Sequence, residues 1–309
     1  MTLQENREAP PATTGGGDIQ GRLMLVLLCF LWGLSWPMLK IALTGLPPLS
    51  MRTLTAAFGA VTLVALCLVT RRTLRVSTAR AWGHVAISSL FNIVGFSVLS
   101  AFAQIAAATS RVAILAYTMP IWTVLLAWLI LRERPTRVQA IAIVLCAAGL
   151  AILIYPLAMS GVPLGALLAV GSGLSWGAGT VYVKWARVSS DPMGVAAWQL
   201  VIAFFLIAAC LLAFDGGLDV SNAHTESLLA VAFAGIIGSG IAYGLWFEII
   251  RRVPAATASL GILGIPVVGV VSTVLILGEH PTAADIIGFA FTFAASACVL
   301  LSPSRPAKG

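Results

Sequence analysis

Ten long apolar runs, separated by short polar breaks, constrain this chain more than any other feature of its sequence. A helix needs about 20 apolar residues to cross the hydrocarbon core of a bilayer. Only 9% of the 309 residues are charged and 60% are hydrophobic, whereas a soluble domain carries about 25% charged residues. We predict membrane spans at residues 22–44, 48–70, 80–101, 109–131, 137–156, 164–187, 191–214, 226–249, 256–278 and 283–302.

These runs predict an all-α polytopic membrane protein. Lipid offers backbone groups no hydrogen-bond partner, so only helices and closed barrels can span a membrane. The runs are longer and less broken than barrel strands, which favours helices. Residues 1–21 are polar and rich in Pro, Gly and Thr, and this composition predicts a disordered cytoplasmic tail. We expect the first run to stay as a span, because it is too long for the core of a signal peptide, and residues 303–309 to form a second cytoplasmic tail.

The net charge of +7 reflects membrane topology and does not indicate a nucleic-acid partner. With ten spans both termini lie on one side, and that side holds 15 of the 18 Lys and Arg residues. Lys40, Arg52 and Arg111 fall towards the other side. Basic residues concentrate in cytoplasmic segments, so we expect both termini in the cytoplasm and the protein in the cell (inner) membrane.

The chain also repeats itself. "FLWGLSWPMLK" (Phe30–Lys40) matches "LSWGAGTVYVK" (Leu174–Lys184) at an offset of 144, and Met119–Thr136 matches Ile265–Thr282 at an offset of 146. The matches are distributed and in order, so we predict two five-helix repeats, 22–156 and 164–302. Because five is odd, the second repeat enters the membrane inverted. Inverted repeats are typical of secondary transporters, whose substrate site lies near the midplane between them.

The doubled unit resembles the EamA-type ten-helix exporters of the drug/metabolite transporter superfamily. The residues that carry the resemblance are the Trp-Gly pairs of spans one and six, the mid-helix Pro120 and Pro266, and the endings "LRERPT" and "LGEHPT" of spans four and nine. It covers about residues 22–302. The branch that it resembles most exports aromatic and other neutral amino acids, so the resemblance implies export of metabolites of this kind.

Span one carries Trp32, Trp36 and Lys40 at i, i+4 and i+8, which is one helix face. Ser35 lies beside that stripe, and Pro37 can kink the helix. We interpret the stripe as a wall of a substrate cavity. For Trp36 and Lys40 an interfacial position near the outer end is an equal alternative. Trp32 lies too deep for an interfacial belt, and so does its repeat partner Trp176.

Spans three and eight carry polar or amphipathic stripes. His84, Ser88 and Asn92 share one face of span three, and Ser239, Tyr243 and Trp246 share one face of span eight. Polar side chains in hydrocarbon face the bundle interior, where they contact substrate or each other. We assign all of these except His84 to substrate binding, with interhelical hydrogen bonding as the alternative.

The remaining candidates lie on spans four, six and nine. We assign Tyr117 and Trp176 to substrate binding and Pro37, Pro120 and Pro266 to hinges, with tight packing as the rival interpretation of the prolines. Lys40, Arg111 and Lys184 are candidates for a charge at the cavity mouth, and the same three residues and Arg52 would suit a substrate carboxylate. The alternative is that these long side chains reach towards the membrane surface.

Several residue types are missing where other functions need them. The eleven carboxylates lie in the tail, in loops or at span ends, whereas ion-coupled pumps usually have intramembrane acids. Histidines and cysteines show no metal-ligand or catalytic spacing, so we predict no metal, no cofactor and no enzymatic activity.

We predict an exporter of amino acids or similar metabolites that works by alternating access with weak or no ion coupling. The alternatives are a proton-coupled exporter of drugs or other metabolites and, far behind, an intramembrane enzyme. The sequence is also compatible with a homodimer.

Overall fold

The computed structural model describes residues 16–132, 137–158, 164–252 and 264–301, and every regular element in those ranges is helical. We number the α-helices α1–α13 in chain order and the two π-helical segments π1 and π2. The elements of the first repeat are α1 (Gly16–Ala42), α2 (Pro48–Val69), α3 (Ala79–Ser89), π1 (Leu90–Gly95), α4 (Phe96–Ala106), α5 (Thr109–Ala116), α6 (Met119–Leu131) and α7 (Arg137–Ala158). Those of the second are α8 (Leu164–Ala186), α9 (Pro192–Phe214), α10 (Thr225–Phe233), π2 (Ala234–Ile241), α11 (Ala242–Arg252), α12 (Gly264–Leu277) and α13 (Ala283–Leu301).

The predicted all-α polytopic class is confirmed. Seven stretches of the described chain are long and apolar enough to cross a membrane, and Ile265–Leu277 is a shorter apolar helix. Each of the ten predicted spans contains helix. Helix α1 already includes Gly16, the first described residue, so residues 16–21 of the predicted disordered tail are helical. Residues 1–15 and 302–309 lie outside the described ranges.

Two spans contain a π-helical segment that sequence periodicity did not predict. In span three π1 lies between α3 and α4, and in span eight π2 lies between α10 and α11. Such segments carry one extra residue per turn and often occur at functional sites. Their equivalent positions in the two repeats are an independent sign of the internal symmetry.

Span four is broken rather than continuous. Its first half, α5, ends at Ala116, and α6 starts at Met119, so Tyr117 and Thr118 lie at the junction. Pro120 therefore lies in the first turn of α6, where a missing N–H costs nothing. The prediction that Pro120 is a mid-helix residue was wrong for this reason. Pro266 is the third residue of α12, whose described range begins at Gly264.

The Trp-Gly pairs explain how the repeats pack on one another. A Cβ added to Gly33 on α1 would lie 2.6 Å from the side chain of Val268 on α12. A Cβ added to Gly177 on α8 would lie 3.0 Å from that of Trp122 on α6. These contacts are reciprocal, because Gly33 matches Gly177 and Trp122 matches Val268 under the internal repeat. Close helix approach at small residues is a common packing device in membranes.

At one membrane face the second repeat caps a helix of the first. The carboxylate of Glu279, just after α12, accepts hydrogen bonds from the backbone N–H groups of Thr109 (2.6 Å) and Ser110 (2.8 Å) at the start of α5. A carboxylate suits this position because it meets otherwise unpaired donors at the positive end of the helix dipole.

We expect the Glu279→Ala variant to be destabilised by about 2 kcal/mol, since two charge-assisted hydrogen bonds are lost and two donors remain unpaired. The measurement is unfolding of the purified protein in detergent, followed by tryptophan fluorescence. His280→Ala is the matched control, because His280 is the exposed neighbour of Glu279. Equal stability of both variants would contradict the capping role.

Candidate transport cavity

A cavity of about 660 Å³ lies between the two repeats. It is lined from both repeats. The first repeat contributes α1, α2, the α3–π1–α4 helix, α5 and α6, and the second contributes α8, α9, π2, α11 and α12. All ten predicted substrate-binding residues line it: Trp32, Ser35, Trp36, Ser88, Asn92, Tyr117, Trp176, Ser239, Tyr243 and Trp246. Their placement supports a shared cavity, while their contact with a substrate stays a prediction.

The cavity is open at one end and buried at the other. At the open end the lining includes the exposed residues Lys184 and Arg187, where α8 ends and the connection to α9 begins. At the buried end it includes Arg52, Thr55 and Ser100, which are 5%, 6% and 0% exposed. We call these two ends the mouth and the closed end.

Six aromatic side chains form one continuous surface in the cavity, which we call the aromatic wall. The ring centroids of Trp32 and Tyr243 are 5.7 Å apart with an edge-to-face geometry, and Trp176 lies 6.3 Å from Tyr243. Such distances and angles are the favoured ones for aromatic pairs. The wall consists of Trp32, Trp36, Phe96, Trp176, Tyr243 and Trp246.

Trp32 is fixed in this wall by the π-helical segment opposite it. Its indole N–H donates a hydrogen bond of 3.0 Å to the carbonyl of Gly238 in π2. A π-helical turn leaves backbone groups without their usual α-helical partner, so a side chain can take them. The neighbouring Ser35 donates instead to the carbonyl of Leu31 on its own helix, at 2.7 Å.

Trp36 belongs to the protein interior. Its side chain is only 6% exposed, and its ring lies edge-to-face with Phe96 at 6.4 Å. The interfacial alternative for Trp36 is therefore excluded. Tyr117, at the junction of α5 and α6, packs in the same apolar cluster as Trp36 and also lines the cavity.

The polar residues of spans three and eight differ in their hydrogen bonds. Ser88 accepts a hydrogen bond from the side-chain amide of Gln199 on α9 at 3.0 Å and donates to the carbonyl of Val85, so interhelical bonding describes it well. Ser239 donates to the Ala234 carbonyl at 3.2 Å. The buried Oδ1 of Asn92 makes no hydrogen bond within the described ranges.

The predicted charges occupy three different places. Lys184 lines the mouth. Lys40 lies outside the lining, because its ammonium group donates a hydrogen bond to the backbone carbonyl of Gln104. The side-chain amide of Gln104 in turn donates to the backbone carbonyl of Trp36 at 3.1 Å. Arg111 is also outside the lining and is half-buried on α5.

Two of the predicted hinge prolines are buried in helices: Pro37 in α1 and Pro266 in α12.

Phe96 and Arg52 are lining residues that the sequence assignment did not include in the site. Phe96 could have been found, since it continues the i, i+4 stripe of His84, Ser88 and Asn92 by one more turn. The sequence indicated only that the charge of Arg52 would suit a substrate carboxylate, and the structure adds that this side chain is buried in the cavity lining.

The cavity is cationic. Arg52, Lys184 and Arg187 line it, and the lining formed by the described residues includes no Asp or Glu. Within those residues no group of three or more His, Cys, Asp or Glu side chains could hold a metal ion.

Helical spans in two inverted repeats around a central cavity define a membrane transporter of the inverted-repeat class. The chain belongs to the EamA-like transporter family, whose model matches residues 19–155 and again residues 163–301. The resemblance inferred from the Trp-Gly pairs and the paired span endings is thereby confirmed.

Named relatives agree with this family. An uncharacterized transporter, YoaV of Bacillus subtilis, is 22% identical over 86% of this chain and 91% of its own. Probable amino-acid metabolite efflux pumps of Salmonella typhimurium and Escherichia coli are 25% and 24% identical, each over 86% of this chain and 89% and 90% of their own. A solved crystal structure, 23% identical, superimposes with a TM-score of 0.64 over 91% of this chain and 95% of that one, which shows the shared fold.

Proposed function

We propose that this transporter exports small metabolites, chiefly aromatic and other neutral amino acids, by alternating access of its two inverted repeats. The observation that carries the proposal is the aromatic wall inside a cavity that both repeats line and that opens at one face only. Flat aromatic surfaces with indole and phenol donors suit a substrate with an apolar side chain and a polar backbone. The relatives named as probable amino-acid metabolite efflux pumps support the same substrate class.

The basic residues around the mouth support the proposed orientation of the protein in the membrane. Lys184 and Arg187 at the mouth lie on the Arg-rich face, together with Arg71, Arg72 and Arg75 in the connection after α2. The positive-inside rule then assigns this face to the cytoplasm. We propose that the described conformation is open to the cytoplasm of a cell whose inner membrane holds the protein, with both termini inside. It would load substrate for export.

The internal symmetry supports the proposed mechanism of alternating access. Because the Gly33–Val268 and Gly177–Trp122 contacts are reciprocal, the two repeats can exchange their conformations, which would close the mouth and open the other end. The Glu279 cap and the Lys40–Gln104–Trp36 hydrogen bonds lie at the closed end and would have to separate in that step.

The most informative test is counterflow in proteoliposomes, in which internal unlabelled substrate drives uptake of a labelled trace. The panel holds the twenty amino acids and a set of cationic drugs. We expect saturable counterflow of aromatic and neutral amino acids and none of the cationic drugs, because the cavity itself is cationic. Counterflow of the drugs alone would overturn the substrate class.

Weak or absent ion coupling is a separate expectation. No acid among the described residues lines the cavity, so no carboxylate there could carry a proton. We expect net efflux of a transported amino acid to change less than about twofold when a pH gradient of one unit is imposed in either direction. A steep response would favour the alternative, a proton-coupled exporter.

A further inference from the structure

Arg52 is the only charged side chain at the closed end of the cavity in the described part of the chain. It lies near the N-terminal end of α2 and is 5% exposed, so it does not reach towards the membrane surface. Its guanidinium Nη2 donates to the hydroxyl of Ser100 at 2.9 Å, and that hydroxyl donates onward to the Ser97 carbonyl at 3.1 Å.

The charge of Arg52 is not neutralised by the protein within the described ranges. Its Nε makes no hydrogen bond there, and no described carboxylate forms an ion pair with it. A guanidinium has five N–H donors, and a buried charge without an opposite partner is costly unless a ligand supplies one. Intramembrane basic residues of this kind commonly mark a substrate pathway.

The second repeat has no charge at the position that corresponds to Arg52. Helices α2 and α9 both begin with a proline in the first turn, Pro48 and Pro192, at the offset of 144. Under that offset Arg52 matches Ala196, which also lines the cavity and is 4% exposed. A charge required only for packing of this helix pair would be expected in both repeats. The cavity is therefore asymmetric, with the cation on one wall alone.

We propose that Arg52 binds the carboxylate of the transported substrate and that the cavity selects apolar or aromatic carboxylates, whether or not they carry an α-ammonium group. This proposal rests on the proposed transport function of the same cavity. The aromatic wall receives the ring, and the guanidinium receives the carboxylate through charge-assisted hydrogen bonds. Since no acid among the described residues lines the cavity, an ammonium group finds no ionic partner there and adds no affinity.

Three compounds with the same ring test the proposal. They are 3-phenylpropanoate, which has the carboxylate alone, phenylalanine, which has both charges, and phenylalaninamide, which has the ammonium alone. Binding to the purified protein in detergent is followed by tryptophan fluorescence, because four tryptophans line the cavity, and counterflow is measured in parallel. We expect 3-phenylpropanoate to bind at least as tightly as phenylalanine and about 10- to 100-fold more tightly than phenylalaninamide.

The Arg52→Gln variant is expected to bind the acid and the amide within about threefold of each other, while Arg52→Lys keeps a reduced preference for the acid, because an ammonium lacks the planar fork. Ser100→Ala, which removes the neighbouring hydroxyl but keeps the guanidinium, should retain the preference. Arg75→Gln, at an exposed arginine outside the cavity, is the matched control. Unfolding temperature and gel filtration verify that each variant is folded.

The outcomes separate the two proposals. If wild-type protein shows counterflow of phenylalanine but no preference for acid over amide, or if folded Arg52→Gln keeps that preference, the role of Arg52 is wrong and the transport function stands. If none of the three compounds or any amino acid gives counterflow, the transport function itself is wrong. Should Arg52→Gln not fold, the wild-type comparison of acid with amide and the Arg52→Lys variant still decide the question.

Discussion

The Trp32→Ala variant is expected to lose about 30-fold or more in transport efficiency, measured as kcat/KM for phenylalanine in proteoliposomes. Trp32 joins the aromatic wall through Tyr243 and Trp246 and is oriented by its hydrogen bond to the Gly238 carbonyl. Truncation of a central, well-packed tryptophan in a binding surface typically costs 2 kcal/mol or more, which corresponds to that factor. It would also leave the Gly238 carbonyl without its side-chain donor.

Two comparison variants show whether the loss belongs to the cavity. Trp128→Ala removes a tryptophan that is 48% exposed on α6 and outside the cavity lining, so we expect it to keep transport within about twofold. Trp32→Phe keeps an aromatic ring but removes the N–H donor and part of the ring area, so an intermediate loss is expected. Full transport by folded Trp32→Ala would remove the basis for assigning the aromatic wall to the substrate.

The Gly33→Leu variant is expected to show the largest loss of stability. A Cβ at this position would lie 2.6 Å from the Cβ of Val268 and 3.1 Å from the backbone N of Gly269, so α1 and α12 would have to separate. Overpacking of a tight core costs about 1–3 kcal/mol and sometimes more. At a contact between the two repeats we expect the upper end of that range or failure to assemble, seen as a lowered Tm or as aggregation in detergent.

Gly83→Leu is the matched control for this substitution. Gly83 also lies in a helix, α3, but a Cβ added there would meet nothing within 4 Å. Since leucine favours a helix over glycine by up to about 1 kcal/mol, this variant should be as stable as wild type or slightly more so. If Gly33→Leu behaved like Gly83→Leu, the close packing between the repeats would not be essential.

Much of this fold could be predicted because its main determinants are local. The length of each apolar run fixes the span, and the Trp-Gly pairs at 32–33 and 176–177 reveal the repeat without any tertiary information. The inverted arrangement follows from the odd number of spans in each half. The packing of α1 on α12 and of α8 on α6 shows why glycine recurs beside tryptophan in both repeats.

Other features depend on contacts between distant segments and therefore left no clear pattern in the sequence. The π-helical segments and the junction at Tyr117 and Thr118 lie within runs that are mostly apolar and keep helical spacing, so periodicity predicted one unbroken helix in each span. The position of Lys40 depends on Gln104, 64 residues away, which draws the ammonium group out of the cavity. The sequence grouped Arg52 with the other basic residues that would suit a carboxylate, and only its burial without an ionic partner among the described residues distinguishes it from them.

In the proposed function, one cavity alternates between the two sides of the membrane while it binds substrate. Ser239 lines that cavity and donates only within its own helix, so Ser239→Cys in a background without the five native cysteines supplies a suitable probe. We would measure labelling by a membrane-impermeant thiol reagent applied to either side of oriented proteoliposomes, with and without phenylalanine.

We expect labelling from the mouth side, slowed at least about fivefold by saturating phenylalanine, and labelling from the opposite side only under counterflow conditions. Labelling that is confined to one side during sustained counterflow, or that is unaffected by phenylalanine, would contradict the claim that this cavity is the transport pathway.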